Sequence, residues 1–497
     1  MGRHIRAVRS TREPLYRQLR TTIEERISRG QFDLHVPLPS SRGLALELGV
    51  SRNTVNTAYQ ELISEGFIVS RPRSGLFVNE ELLAHASALH RTPPAPPSQV
   101  RWHHRLRSEH DAGLPEVAKP SDWQRYPYPF IAGQVEARSF PSLAWSRVLR
   151  EALREPHLHY SLRDGIDADD PLLIDLLCDR ILPGRGIETS PENVLITMGS
   201  QEGLQLLSSA LLGPGSAVAV EEPGYLDARH VFMRAGAKLT HLPVDGAGVL
   251  PPGDLHGTDL LYLTPSHQHP TNATLSVGRR RQILALADQD DVIVVEDDYD
   301  SELRYRGSPS PALKSLDTNG RVIYLGTFSK FLAPGIRLGF VVADSELIKH
   351  LRNERRYSIR HPPGHLQRAL ALFIASGQYQ RAVRRHRLSL SRKWETMCQA
   401  LGGSVPFPVV TPPGGVSIWV QGPPELDGVR LANTLRSRGV IIEHGDVCYR
   451  DPPANRHHVR LGFAAIRLGA IEPGMQIIGQ AMRKQLEDAD NNRRSMP

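Results

Sequence analysis

Gly326-Thr327-Phe328-Ser329-Lys330, with Arg337 seven positions further on, is the stretch on which the fold turns. Val322-Ile323-Tyr324-Leu325 precedes it and Leu338-Gly339-Phe340-Val341-Val342 follows, both apolar and of strand length. The pattern predicts a lysine held between two buried strands. Desolvation there disfavours the ammonium and lowers the pKa of the amine. That is the condition under which a lysine attacks a carbonyl and forms a Schiff base. The hydroxyls of Thr327 and Ser329 and the guanidinium of Arg337 suit a phosphate on the same molecule. Together these residues point to pyridoxal phosphate as a cofactor.

From about residue 126 strand-like runs alternate with helical patterns, as a mainly parallel sheet flanked by helices requires. In such sheets ligands lie just past the strand ends. Asn193 to Met198 reads as one strand, and Gly199-Ser200-Gln201 opens a helix that continues through Leu204, Leu207 and Leu211. A glycine and a hydroxyl at a helix start form an anion cup, although the same turn serves purely structural ends. Ala217 to Glu221 is a second strand, followed by Tyr225, which either packs on a planar ring or fills the core. Val292 to Glu296 is a third. After it, Asp297 and Tyr299 are two apart and share one side of an extended chain. A carboxylate there keeps a pyridine nitrogen protonated and a phenol binds the ring oxygen, while the alternative is a helix cap.

This order of pieces resembles the fold type I aminotransferases, most closely at TFSKFLAPGIRLGF and EDDYDSEL. The resemblance implies an α/β domain over residues 126–490, with a mainly parallel sheet and a smaller C-terminal subdomain. By position it makes Lys330 the Schiff-base lysine and pairs Asp297 with the pyridine nitrogen. Tyr299 then meets the ring hydroxyl and Tyr225 lies against the ring. Ser200, Gln201, Thr327, Ser329 and Arg337 surround the phosphate. Arg460, in His458-Val459-Arg460-Leu461-Gly462-Phe463, takes the place of the arginine that grips a substrate carboxylate. One turn departs from the pattern. Where those enzymes carry Asn-Pro-Thr-Gly, this chain has His269-Pro270-Thr271-Asn272.

The first 80 residues have a different character. Leu15, Leu19, Ile23 and Ile27 recur at helical spacing and stop at Gly30. Ser40 and Ser41 place capping hydroxyls before Leu44, and Ser51 caps a third helix whose apolar stripe is Val55, Ala58, Tyr59, Leu62 and Ile63. Phe67-Ile68-Val69 and Leu76-Phe77-Val78 are short strands around the basic turn Ser70-Arg71-Pro72-Arg73-Ser74-Gly75. Residues 1–80 contain 12 arginines, no lysine and 8 acids, a bias that fits either a solvated face or a nucleic-acid partner. Arginine and asparagine at a helix start suit major-groove reading. PLPSSRGLALELGVSRNTVNTAYQELISEGFIVSRPRSGLFV resembles the winged helix-turn-helix domain of the GntR regulators, apart from Gln31–Val36, where that family carries a proline-glycine turn. The resemblance puts DNA contacts on Arg42, Ser51, Arg52, Asn53, Thr54, Asn56 and Gly75.

Between the two lies 81–125, where Pro93-Pro94-Ala95-Pro96-Pro97 reads as a semi-rigid tether. The whole layout resembles the MocR subfamily of GntR regulators. That implies a homodimer that binds a double-stranded DNA operator and senses a small amino compound through Lys330. The competing reading is a working aminotransferase with an appended DNA-binding domain. Composition agrees with either. At 497 residues the chain is long enough for two or three domains, and 40% hydrophobic with 23% charged residues is ordinary for a soluble protein. No apolar run reaches membrane-span length and the Arg-rich start lacks a secretory apolar segment, so a cytoplasmic location is expected. Cys178, Cys398 and Cys448 are odd in number and far apart, which speaks against disulfides and against a metal site.

Overall fold

The computed structural model of the protein describes residues 14–72, 74–81, 100–105, 117, 119–300, 302–307, 310–330 and 332–494. Arg73 of the basic turn and the proline run at 93–97 lie outside these. The chain divides into two compact units, residues 1–108 and 109–497.

In the first unit, α1 (Leu15–Ser28), α2 (Ser41–Leu48) and α3 (Arg52–Ser64) precede a hairpin of β1 (Ile68–Arg71) and β2 (Gly75–Val78). Leu19, Ile23 and Ile27 of α1 meet Leu44, Val55, Ala58 and Leu62 in one core. Both predicted caps form: Ser40 Oγ accepts from the Gly43 amide at 3.1 Å and Ser51 Oγ from the Thr54 amide at 3.1 Å. Tyr59 donates to the Pro39 carbonyl at 2.9 Å, which ties α3 to the entry of α2. The Gln31–Val36 segment turns around Asp33, whose carboxylate accepts from the His35 amide at 2.9 Å.

The second unit begins its sheets with β3 (Tyr128–Pro129). Eight strands then form the main sheet: β4 (Val194–Thr197), β5 (Ala217–Glu222), β6 (Lys238–Asp245), β7 (Gly248–Val249), β8 (Leu260–Leu263), β9 (Ile293–Asp298), β10 (Val322–Thr327) and β11 (Gly339–Val342). Their order is β4-β11-β10-β9-β8-β5-β6-β7. The contiguous pairs from β10 to β6 are parallel, whereas β11 runs antiparallel to both neighbours and β7 antiparallel to β6. Strands covered on both faces should be apolar throughout, and β4, β8, β10 and β11 are buried at every residue. Aliphatic clusters fill the space above and below.

A smaller C-terminal sheet joins β12 (Ser417–Gln421), β15 (His458–Gly462) and β14 (Glu443–His444), while β13 (Val440–Ile441) pairs with β3. The long helices Gln378–Ser404 and Ile471–Arg494 pack on this sheet through Leu390, Trp394, Met397, Met475, Ile478 and Met482. None of the described helices is long and apolar enough to cross a membrane.

Candidate functional site

The ten cavity residues singled out from the sequence converge. Ser200, Gln201, Tyr225, Asp297, Tyr299, Thr327, Ser329, Lys330, Arg337 and Arg460 all line one cavity of about 450 Å3. The topology explains the convergence. β4, β5, β8, β9 and β10 run parallel or share one direction, so their C-terminal ends and the loops after them open on the same edge.

At one end sit the groups suited to an anion. Ser200 begins the helix Ser200–Leu211, whose first amides lack helical acceptors. Gly199 precedes it at φ 81°, and a methyl there would stand 2.9 Å from Arg337 Nη2. The backbone angle favours glycine, and any larger residue would also displace the guanidinium. Arg337 also donates from Nη2 to the Met198 carbonyl at 2.9 Å. Thr327 Oγ1 accepts from the Ser329 amide at 3.2 Å, and Ser329 Oγ is buried with no partner.

At the centre, Lys330 Nζ stands 5.7 Å from the centroid of the Tyr299 ring. Burial, then the positive charges of Arg460 and Lys119, lower its pKa to about 8. Asp297 accepts on Oδ2 from the Tyr262 hydroxyl at 2.8 Å, while Oδ1 is buried and unpaired. Burial raises its carboxyl to about 7. The Tyr299 hydroxyl is likewise buried without a partner. Buried polar groups in native proteins are almost always bonded, and these three lining atoms, with His269 Nδ1 as a fourth, suit a polar ligand. Tyr225 donates to Asp227 Oδ2 at 2.9 Å, with Gln201 Oε1 3.3 Å from the same hydroxyl, and its ring meets His269 edge-on with centroids 5.1 Å apart.

Arg460, on β15, also lines the cavity. Its Nε donates to Ser417 Oγ at 2.9 Å and its Nη1 to His269 Nε2 at 2.9 Å. Lys119 was not singled out from the sequence, yet it lines the cavity too. Its Nζ donates to the Ala132 carbonyl at 2.7 Å and pairs with Glu443 at 3.2 Å. Gly133 lies beside both amines: a methyl on it would stand 3.4 Å from Lys119 Nζ and 3.5 Å from Lys330 Nζ. Such a cavity offers two arginines, Arg337 and Arg460, to anionic groups, with a desolvated amine in the same lining.

The first unit offers a different kind of surface. Arg42, Arg52 and Asn53 are exposed and Asn56 is half-buried, and their side chains make no hydrogen bond among the described residues. Ser51 and Thr54 are occupied with each other, hydroxyl to hydroxyl at 2.9 Å, at the cap of α3. Gly75 opens β2 at φ 111° and is exposed. Arg71 lies over the Phe77 ring at 4.5 Å, which anchors the hairpin.

Comparison with known proteins agrees with both halves. Residues 145–478 match the aminotransferase class I and II family, and residues 15–78 match the gntR family of bacterial regulatory proteins. The chain is 40% identical to the HTH-type transcriptional regulator TauR of Rhodobacter capsulatus, over 94% of this chain and 96% of that protein. It is 34% identical to the probable rhizopine catabolism regulatory protein MocR of Rhizobium meliloti, over 75% of this chain and 74% of that one. Among solved structures, a kynurenine aminotransferase of Pyrococcus horikoshii in complex with PMP matches 78% of this chain and all of its own, with a TM-score of 0.71 and 27% identity. With a GntR winged helix-turn-helix followed by a fold type I aminotransferase domain, the chain belongs to the MocR-type HTH transcriptional regulators.

Proposed function

We propose that this regulator carries pyridoxal 5'-phosphate on Lys330 and uses it to sense a small amino compound, whose binding alters how the winged helices hold an operator. The observation that carries the reading is the set of three unpaired buried atoms, Asp297 Oδ1, Tyr299 Oη and Ser329 Oγ, around one desolvated lysine. They match the cofactor in kind. Asp297 Oδ1 would hold a protonated ring nitrogen, Tyr299 the ring oxygen and Ser329 a phosphate oxygen.

When bound, the cofactor supplies an aldehyde that captures amines reversibly. The chain supplies the rest. Lys330 is held close to its neutral form, so its amine is available as a nucleophile near pH 8. Burial raises the Asp297 carboxyl to about 7 although the charge of Lys330 opposes it, and a pyridinium would return Asp297 to its charged form. Tyr225 would lie against the ring, while Ser200, Gln201, Thr327 and Arg337 join Ser329 around the phosphate. Arg460 would receive an acid group on the effector.

Arg42, Arg52, Asn53 and Asn56 would reach DNA directly, Arg52 and Asn53 from the first turn of α3. Ser51 and Thr54 would present amides and hydroxyls to phosphate, and Gly75 would let the hairpin tip approach the backbone. The protein would act in the cytoplasm as a homodimer reading repeated half-sites. An effector shifts the equilibrium between two arrangements only by its difference in affinity for them, so ~10-fold selectivity yields about 1.4 kcal/mol.

The test is chemical. Borohydride reduction of the purified protein should fix the cofactor covalently, and peptide mapping should find the added mass on Lys330. No adduct, or one on another lysine, overturns the reading. Steady turnover of an amino acid with a keto acid, without DNA binding, would favour an enzyme instead.

A further inference from the structure

The turn His269-Pro270-Thr271-Asn272 departs from the aminotransferase pattern at its two ends, and both ends lead to the same guanidinium. Arg460 Nη1 donates to His269 Nε2 at 2.9 Å. A guanidinium has only donors, so Nε2 is the bare nitrogen and the ring proton sits on Nδ1. The backbone of His269 is pinned on both sides. Its amide donates to Thr264 Oγ1 at 2.9 Å, and its carbonyl accepts from Gln268 Nε2 at 2.6 Å. Burial, then the charge of Arg460, holds the imidazole pKa well below its usual value, so the ring is a neutral acceptor at physiological pH.

Asn272 reaches Arg460 through one intermediary. Its Nδ2 donates to the Ser417 carbonyl at 2.7 Å and to Ser417 Oγ at 3.2 Å, and Ser417 Oγ accepts from Arg460 Nε at 2.9 Å. Asn272 is fully buried at φ 58°, a left-handed conformation that asparagine tolerates. Gly415 makes space for it, since a methyl there would come within 2.7 Å of Asn272 Oδ1. A glycine in place of Asn272 would have no side chain to hold Ser417. An asparagine in place of His269 is shorter than the imidazole that meets Nη1.

We propose that His269 and Asn272 are positioning residues that clamp Arg460 along its Nε and Nη1 edges, and that this clamp gives the protein its preference for amines that also carry an acid group. It rests on the reading of Arg460 given above. Two of the five N–H donors of Arg460 are committed to the clamp, Glu443 Oε2 lies 3.8 Å from Nη1, and the residue lines the cavity. A preoriented guanidinium gives up little rotamer freedom when an anion arrives.

The experiment uses full-length, cofactor-loaded protein. β-Alanine and its amide, which lacks the negative charge, are titrated while visible absorbance is followed. The wild type should prefer the acid. His269→Phe, which removes the acceptor, should weaken β-alanine about ten-fold and leave the amide within about two-fold. His269→Gln, whose Oε1 accepts, should recover part of the loss. Asn272→Gly should lower the preference by several-fold. A merely structural role would move both ligands together. Arg460→Ala separates the two claims. If neither the wild type nor this variant distinguishes acid from amide, the reading of Arg460 fails. If Arg460→Ala abolishes the preference while His269→Phe and Asn272→Gly retain the wild-type ratio, the clamp is overturned.

Discussion

Arg52 and Arg460 are both arginines read as waiting for an anion, and their surroundings could hardly differ more. Arg52 opens α3 in the first unit, exposed and without a partner among the described residues. Arg460 is buried on β15, with Ser417 and His269 on its nitrogens and Glu443 Oε2 3.8 Å from Nη1. The contrast teaches what each anion demands. DNA brings a high density of charge to a surface, so an unsupported arginine suffices and salt competes with it. A single small acid must repay the desolvation of its partner, which requires a guanidinium already oriented and hydrogen-bonded.

Several experiments break or sharpen that contrast. The largest effect belongs to Lys330→Ala. It should abolish the visible absorbance and the effector response while leaving basal DNA affinity intact, as a band-shift titration would read; a retained response would show that sensing does not run through this amine. Salt comes next. Raising it from 50 to 200 mM should weaken DNA binding on the order of a thousand-fold if about six phosphates are neutralised. Effector affinity should change far less, because buried pairs are poorly screened.

The two arginines can then be compared directly. Arg460→Ala should cost about 2–4 kcal/mol of affinity for an acid-bearing amine and lower Tm, because buried partners lose their donor. Arg52→Ala should cost roughly 1–3 kcal/mol of site discrimination with Tm unchanged. Equal Tm losses would show that the surface arginine is structural. The pH dependence comes last. Lys330 is protonated below its pKa of about 8, so capture of the cofactor by cofactor-free protein should slow about ten-fold per unit below pH 8 and level off above it. A rate that goes on rising ten-fold per unit through pH 9, with no levelling, would mean that the amine is not desolvated.

Much of the cavity was legible because strand ends carry it. A continuous apolar run followed by Asp297 and Tyr299, or by Thr327, Ser329 and Lys330, reveals both the strand and what its end presents. Lys119 was hidden because it follows a polar, proline-rich stretch with no periodicity. The signal available was the return of apolar residues nearby, since Val117 and Trp123 pack against buried clusters of the second unit. His269 and Asn272 stood out as departures, but their destinations did not. Arg460 lies 191 residues from His269 and Ser417 lies 145 from Asn272, contacts that only the packing of the C-terminal sheet creates.

The central claim, that one molecule couples a lysine-held cofactor to DNA reading, meets its most direct test in a single titration. An acid-bearing amine is added to the protein on a labelled fragment of its operator, with cofactor absorbance and DNA anisotropy recorded together. Both signals should change with the same midpoint, and Lys330→Ala should abolish both changes. An absorbance change with anisotropy constant, or a DNA response that persists in Lys330→Ala, would contradict it.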